Sequence, residues 1–430
     1  VAEKALIEGL TTGAEKNRGE ENHGMAAAPW STAGHLLALI RTGQATTRGE
    51  LQQISGLSRS TVGHRLDQLF AAGWLRASTG RLSTGGRPSD RLEFNTRHAA
   101  VLAADLDTTH ARAAVLDLAG RVLAQRSADL RIAAGPDVVL DELGSWFAEL
   151  LAAAGTPAET VCGVGLAVPG PVDWASGQVI RPPIMPGWDG YPVRERLRRI
   201  LDVRAGTGDL LPVLVENDAN VMALGEQRDW FTDCSAFTLV KVSTGIGAGI
   251  IIDGKVFRGI DGGAGDLGHI RLHDRPDARC MCGSQGCLAA VASGGAVAGQ
   301  LCELGIPADS GSDVRRYLDA GQPDAVRLAR EAGQRCGEVL VTAVTLLNPG
   351  VLMIAGELAE THFVTGVREL LYQRALPRAT RNLQVVTSRL GDRAALAGAV
   401  VMVVEHVFAP AQADERLARI AAAPECRSPG

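Results

Sequence analysis

The hydrophobic period of this chain changes near residue 100, and that change limits its possible folds more than any other feature. Between Trp30 and Phe70 apolar residues recur at helical spacing in three short stretches, whereas from Val101 they form strand-like runs such as Val101-Leu102-Ala103-Ala104-Asp105. Helical and pleated periods place side chains on different faces, so the chain must build two kinds of structural unit. Its 430 residues give each unit enough apolar surface for its own core.

The first unit reads as a winged helix-turn-helix over residues 29–97. Its second helix opens at Thr47 with Glu50 three residues later, a capping-box arrangement, and ends at Gly56. Ser58 is placed to cap the third helix, in which Val62, Leu66, Leu69 and Phe70 form one buried stripe. That stripe turns Ser60, Thr61 and His64 outward, with Arg59 and Arg65 beside them. Gly73 closes the helix. Trp74-Leu75-Arg76 and Leu92-Glu93-Phe94 then form a hairpin whose turn-rich tip, Thr79 to Pro88, is a wing. A helix start with small polar residues and flanking arginines suits a DNA major groove. Within Ser83-Thr84-Gly85-Gly86-Arg87-Pro88, the glycines allow close approach of the backbone and Arg87 can reach into a minor groove.

Charge supports the same division. The whole chain carries −5, yet Trp30 to Arg97 holds nine arginines against four acids, so a head of +5 sits on a remainder of −10. Phosphate attraction is local and screened over about 10 Å at ordinary salt, so the basic head is the part expected to meet double-stranded DNA.

The remainder is expected to be an α/β body. Strands at Val101–Asp105, Ala111–Leu116 and after Gly120 are joined by short turns and so start an antiparallel sheet, after which helical stretches such as Val138–Ala153 alternate with strands such as Val161–Val168. Ala394 to Phe408 reads as a long apolar helix. Residues 409–430 are then expected to be a polar, frayed tail, and residues 1–28 a disordered one, with translation starting at Met25.

Three features of the body carry chemistry. Of eight cysteines only Cys280, Cys282 and Cys287 are clustered, on a glycine-containing loop, a spacing that suits metal better than disulfides. A fourth ligand would come from His269 or His273. Ser243-Thr244-Gly245-Ile246-Gly247-Ala248-Gly249 follows a strand and would form either a phosphate cradle or a tight turn. Glu216-Asn217-Asp218-Ala219-Asn220 ends another strand, where Asp218 is either a base toward a sugar hydroxyl or part of a helix cap.

Together with Val168-Pro169-Gly170-Pro171-Val172-Asp173, these motifs resemble the ROK family (repressor, open reading frame, kinase) from about Trp30 to Phe408. The resemblance implies an actin-like, ribonuclease H-like two-lobed sensor domain over residues 98–408, with sugar and nucleotide sites between the lobes. It assigns Asn217 and Asp218 to the sugar, with Asp218 the catalytic base if the chain is a kinase. It aligns Asp266-Leu267-Gly268-His269 with the family's Glu-x-Gly-His, makes Asp266 and His269 part of the ligand site, and favours His269 over His273 as zinc ligand beside Cys280, Cys282 and Cys287.

The departures from that pattern point away from catalysis. Where family kinases have Asp-x-Gly-Gly-Thr, this chain has Asp105-Leu106-Asp107-Thr108-Thr109, which puts a carboxylate against the triphosphate. A glutamate that binds sugar in the family is Ala289 here. The expected function is therefore a sugar-responsive repressor without kinase activity, acting on operator DNA as a homodimer or higher oligomer in the cytoplasm. A hexose kinase that retains a DNA-binding head is the alternative. No run of eighteen apolar residues occurs, so a membrane partner is not expected.

Overall fold

The computed structural model describes residues 31–78, 91–208 and 210–422. The expected N-terminal tail, the start at Met25 and the wing tip with Arg87 lie outside the described residues.

Three helices open the described chain, α1 (Ala33–Arg41), α2 (Arg48–Ser55) and α3 (Arg59–Ala71), followed by the antiparallel pair β1 (Leu75–Ser78) and β2 (Arg91–Phe94). Local chemistry sets their ends. The Thr47 hydroxyl accepts from the Glu50 N–H while the Glu50 carboxylate accepts from the Thr47 N–H, and Gly56 ends α2 at φ 69°. Ser58 caps α3 by accepting from the Thr61 N–H at 3.1 Å. Val62, Leu66 and Leu69 are buried and Phe70 is half-buried, as the stripe requires.

The body contains two five-stranded sheets of identical topology. The first lobe runs through β3 (Ala100–Leu106), β4 (His110–Asp117), β5 (Val122–Asp129), α4 (Pro136–Ala154), β6 (Val161–Val168), a separate two-stranded pair β7 (Val172–Asp173) and β8 (Gln178–Val179), α5 (Val193–Ala205) and β9 (Val213–Asn217). After the linking helix α6 (Asp218–Trp230) come β10 (Ala236–Val242), β11 (Ile246–Ile252), β12 (Lys255–Val256), α7 (Ala289–Ala292), α8 (Gly294–Glu303), α9 (Gly311–Asp319), α10 (Pro323–Leu347), β13 (Val351–Ala355), α11 (Thr361–Arg374), α12 (Pro377–Thr380) and β14 (Gln384–Thr387). The strand orders are β5-β4-β3-β6-β9 and β12-β11-β10-β13-β14. In both, the first three strands pair antiparallel and the last two add in parallel through helical crossovers. This is the expected α/β architecture of two lobes.

Helices α6 and α13 (Ala394–Val407) lie between the sheets, α13 against β3 and β6 and α6 against β10 and β11. Glycine makes the crossing possible. A Cβ on Gly398 would fall 1.8 Å from the Val221 carbonyl oxygen, and one on Gly225 would fall 2.3 Å from that of Ala394. Backbones this close exclude any other residue.

The expected frayed tail is corrected by the structure. Residues Pro410–Ala422 form helix α14, which packs on α1 of the head. The Gly34 N–H donates to the Asp414 carboxylate at 2.8 Å, and a Cβ on Gly34 would fall 2.1 Å from the Pro410 carbonyl oxygen. Sequence polarity misled because α14 buries only a narrow face, centred on Ala413, and leaves its charges in water. Among the described residues no single helix is long and apolar enough to cross a membrane.

Candidate functional site

A cavity of about 500 Å³ opens between the lobes, within the range usual for small-molecule sites. Asn217 and Asp218 stand at its floor because β9 ends there and α6 begins. Asn217, not Asp218, caps the helix: its side-chain oxygen accepts from the Ala219 and Asn220 N–H groups at 3.0 and 3.3 Å, and its amide donates to the Gly170 carbonyl at 3.2 Å. Asp218 follows as the first helical residue and is buried.

The glycine-rich segment forms a turn that lines the cavity with Ser243, Thr244, Gly245 and Gly247. β10 and β11 form a hairpin in which Val242 pairs with Ile246, closed by a Ser243 N–H bond to the Gly245 carbonyl. Gly249 lies within β11, where a Cβ would fall 2.3 Å from the Ala219 carbonyl oxygen. That glycine serves helix-on-sheet packing.

Lys241, on β10, organises the floor of the cavity. Its ammonium donates to the Asp218 carboxylate at 2.6 Å and to that of Asp107 at 3.3 Å. Asp107 sits in the β3–β4 turn of the first lobe, so this contact crosses the cleft. Thr108 and Thr244 make a second crossing, with their hydroxyl oxygens 3.2 Å apart. Burial works against the charge on Lys241, but Asp218 and then Asp107 outweigh it and hold the ammonium well above its usual range. Burial likewise opposes ionisation of Asp107, yet Lys241 and the Thr108 N–H hold its carboxyl below the usual range. Behind them burial pushes the Asp105 carboxyl up to about 6. Its neighbour Arg112 reaches Asp105 at 3.7 Å and Asp392, before α13, at 2.9 Å.

Lys241 escaped the sequence reading. The available signal was a lysine among buried apolar residues of a strand, a placement that is costly unless the charge is paired.

The rim carries a His/Cys group that could hold a metal ion. The donor atoms of His269, Cys280, Cys282 and Cys287 all lie within 4.8 Å of one another, and His273, exposed, is not among them. Cys282 and Cys287 sulfurs are 3.9 Å apart and Cys280 Sγ is 3.7 Å from His269 Nδ1. Metal–sulfur bonds of about 2.3 Å in a tetrahedron imply sulfur separations of about 3.8 Å, so the donor set fits a four-coordinate ion. Asp266 and Ala289 line the cavity beside this loop, and burial raises the Asp266 carboxyl.

The head presents a separate surface. Arg59, Ser60 and His64 are exposed, and Thr61 and Arg65 are half-buried, all on α3. Arg65 contacts Gln68 at 3.4 Å.

Comparison with known proteins agrees with this division. A putative xylose repressor of Caldicellulosiruptor sp. (strain Rt8B.4) is 29% identical over 392 residues, covering 87% of this chain and 95% of the relative. The crystal structure of a ROK family transcriptional regulator, a homologue of the E. coli MLC protein, superposes with TM-score 0.73 at 26% identity, covering 90% of this chain and 98% of that one. A ROK hexokinase from Thermus thermophilus gives TM-score 0.57 at 30% identity but covers only 72% of this chain, against 99% of its own. The sequence profile of the ROK family matches residues 101–406, from β3 through α13. Both sheets and both central helices fall within that match, and the chain belongs to the ROK family.

Proposed function

We propose that this chain is a sugar-responsive transcriptional repressor whose head binds operator DNA and whose cleft receives a carbohydrate without phosphorylating it. The observation that carries the second half is the bond from Lys241 to Asp218. A family kinase needs that carboxylate to take a proton from the sugar hydroxyl, whereas here a lysine ammonium is held against it at 2.6 Å and competes with the hydroxyl for the same oxygen. Phosphoryl transfer depends on positioning and charge stabilisation, and Asp107 adds a negative charge where the nucleotide phosphates would lie. The similarity to regulators over 87–90% of this chain, against 72% for a kinase, supports the first half.

In this reading Arg59 and Arg65 hold phosphates while Ser60, Thr61 and His64 reach base edges, and Arg87 enters the minor groove. Two heads on a symmetric homodimer would meet a palindromic operator, in the cytoplasm where such DNA lies. Asn217, Asp218, Asp266 and His269 face the carbohydrate. His269, Cys280, Cys282 and Cys287 would hold zinc, which in a closed four-ligand site fixes the shape of a loop and offers no open position for catalysis. The ligand acts on DNA only through unequal affinity for the DNA-competent and DNA-released arrangements.

The test is binding of labelled promoter DNA with sugars titrated in. Specific binding that one sugar changes supports the proposal, and affinity no higher than for random duplex rejects it. ATP turnover with a hexose that Asp218→Asn abolishes would establish the kinase alternative, which the retained Asn217-Asp218 pair favours.

A further inference from the structure

Resting on that sensor reading, the geometry points to the chemical class of the effector: we propose that the Asp107–Lys241–Asp218 cluster makes this an uncharged-sugar site that rejects sugar phosphates and nucleotides. A phosphate carried on the ligand hydroxyl nearest Asp218 would have to enter the space beside that carboxylate. Toward the β3–β4 and β10–β11 turns this space is bordered by acids and by the lysine they hold. Lys241 stands at its edge, and the cross-cleft contacts Lys241–Asp107 and Thr108–Thr244 narrow it from both lobes.

A lysine could in principle attract the phosphate, but this one is committed. Its ammonium, 2.6 Å from Asp218 and 3.3 Å from Asp107, already faces two carboxylates, so the cluster retains a surplus negative charge. Asp105 stands behind it with one carboxylate oxygen buried and unpartnered. Asp266 adds another acid at the cavity wall, and the exposed Arg279 at the metal loop is screened by water. A dianion placed here meets like charge in a partly dry cleft, where Coulomb terms are several times larger than in bulk water. Uncharged hydroxyls meet no such penalty, and carboxylate and carbonyl acceptors are the partners they need.

The full-length protein should be titrated calorimetrically with a panel of pentoses, hexoses and N-acetylhexosamines, each beside its terminal phosphate. At least one free sugar should bind, with its phosphate at least about tenfold weaker. In Asp107→Asn and Asp107→Gly the gap should narrow by at least about threefold, because surplus charge is removed without touching Asp218. Equal or tighter binding of the phosphate by the unaltered protein overturns the inference while leaving a sugar sensor in place. If no member of either set binds while operator DNA still does, the sensor reading falls and the inference with it.

Discussion

The ring of Phe408 stands edge-on to that of Trp74, with centroids 5.4 Å apart and planes at 89°, and also meets the edge of Phe94 at 5.1 Å. Phe408 ends α13, while Trp74 and Phe94 flank the hairpin of the head. One aromatic knot thus fastens the N-terminal head to the helix that passes through the body. Nearby on α13, Glu405 pairs with Arg228 of α6 and stands near the half-buried Arg41 of α1. At its other end α13 crosses α6 at Gly225, and α6 begins in the cleft at Asp218.

Truncation of the knot tests whether α13 carries the response. Phe408→Ala removes a fully buried ring and should destabilise head docking by about 3–5 kcal/mol. We expect urea denaturation to split, with the head melting first. Sugar affinity should be unchanged, and the effect of sugar on DNA affinity should be lost. A single unfolding transition with an intact DNA response would place the coupling elsewhere.

On α3 the two kinds of contact separate by salt. Arg59→Ala should weaken binding to all duplexes alike and reduce the slope of log affinity against log salt by about 1. Thr61→Ala or His64→Ala should leave that slope alone and relax preference among operator sequences by about 1–3 kcal/mol at one base pair. Fluorescence anisotropy between about 50 and 200 mM salt measures both. Identical slopes for Arg59→Ala and the parent would remove that arginine from the phosphate contacts.

Much of this was legible before any coordinates. Capping at Thr47 and Ser58, the stripe of Val62, Leu66 and Leu69, and the cysteine spacing are local rules, and local rules survive in a single sequence. What was not legible is tertiary. The twin sheets share order without sharing residues, so no repeat announces them. Lys241 is one residue in a strand, and its meaning comes from Asp107 and Asp218, distant in sequence by 134 and 23 positions. Helix α14 looked like a solvated tail because its partner, Gly34, lies 380 positions away from Asp414.

Removal of metal should separate the cleft from the head. Native mass spectrometry is expected to show one bound ion per chain, released by a strong chelator and absent from Cys282→Ser. The freed loop 269–287 should then lose its fixed shape and weaken sugar binding, since Asp266 and Cys280 border the cavity beside it. DNA affinity without sugar should stay within twofold or so, since the head contains none of the ligands. Loss of DNA binding on chelation would show that the metal loop supports the head as well.

Asp105 gives the fold a pH dependence whose sign can be worked out. Burial raises its carboxyl from 3.8 to about 6, so the folded protein holds that proton more tightly than the unfolded chain. The resulting stabilisation is complete below about pH 4 and is lost as pH rises through about 6. Above that, the native state carries a buried charge with only Arg112 and Lys241 to offset it, a cost of about 2–3 kcal/mol from a shift of this size. Asp105→Asn keeps the shape and removes the charge, so at pH 8 it should be more stable than the parent by up to that amount. The advantage should shrink to nothing as pH falls toward 4. Groups remote from Asp105 are shared by both proteins and cancel in the difference, whereas Asp107, Asp218 and Lys241 interact with it, so the comparison reads the response of that cluster. Urea midpoints for the pair at pH 5, 6.5 and 8 provide the comparison. An Asn variant that is less stable at pH 8 would mean that Arg112 and Lys241 need the Asp105 charge more than burial penalises it.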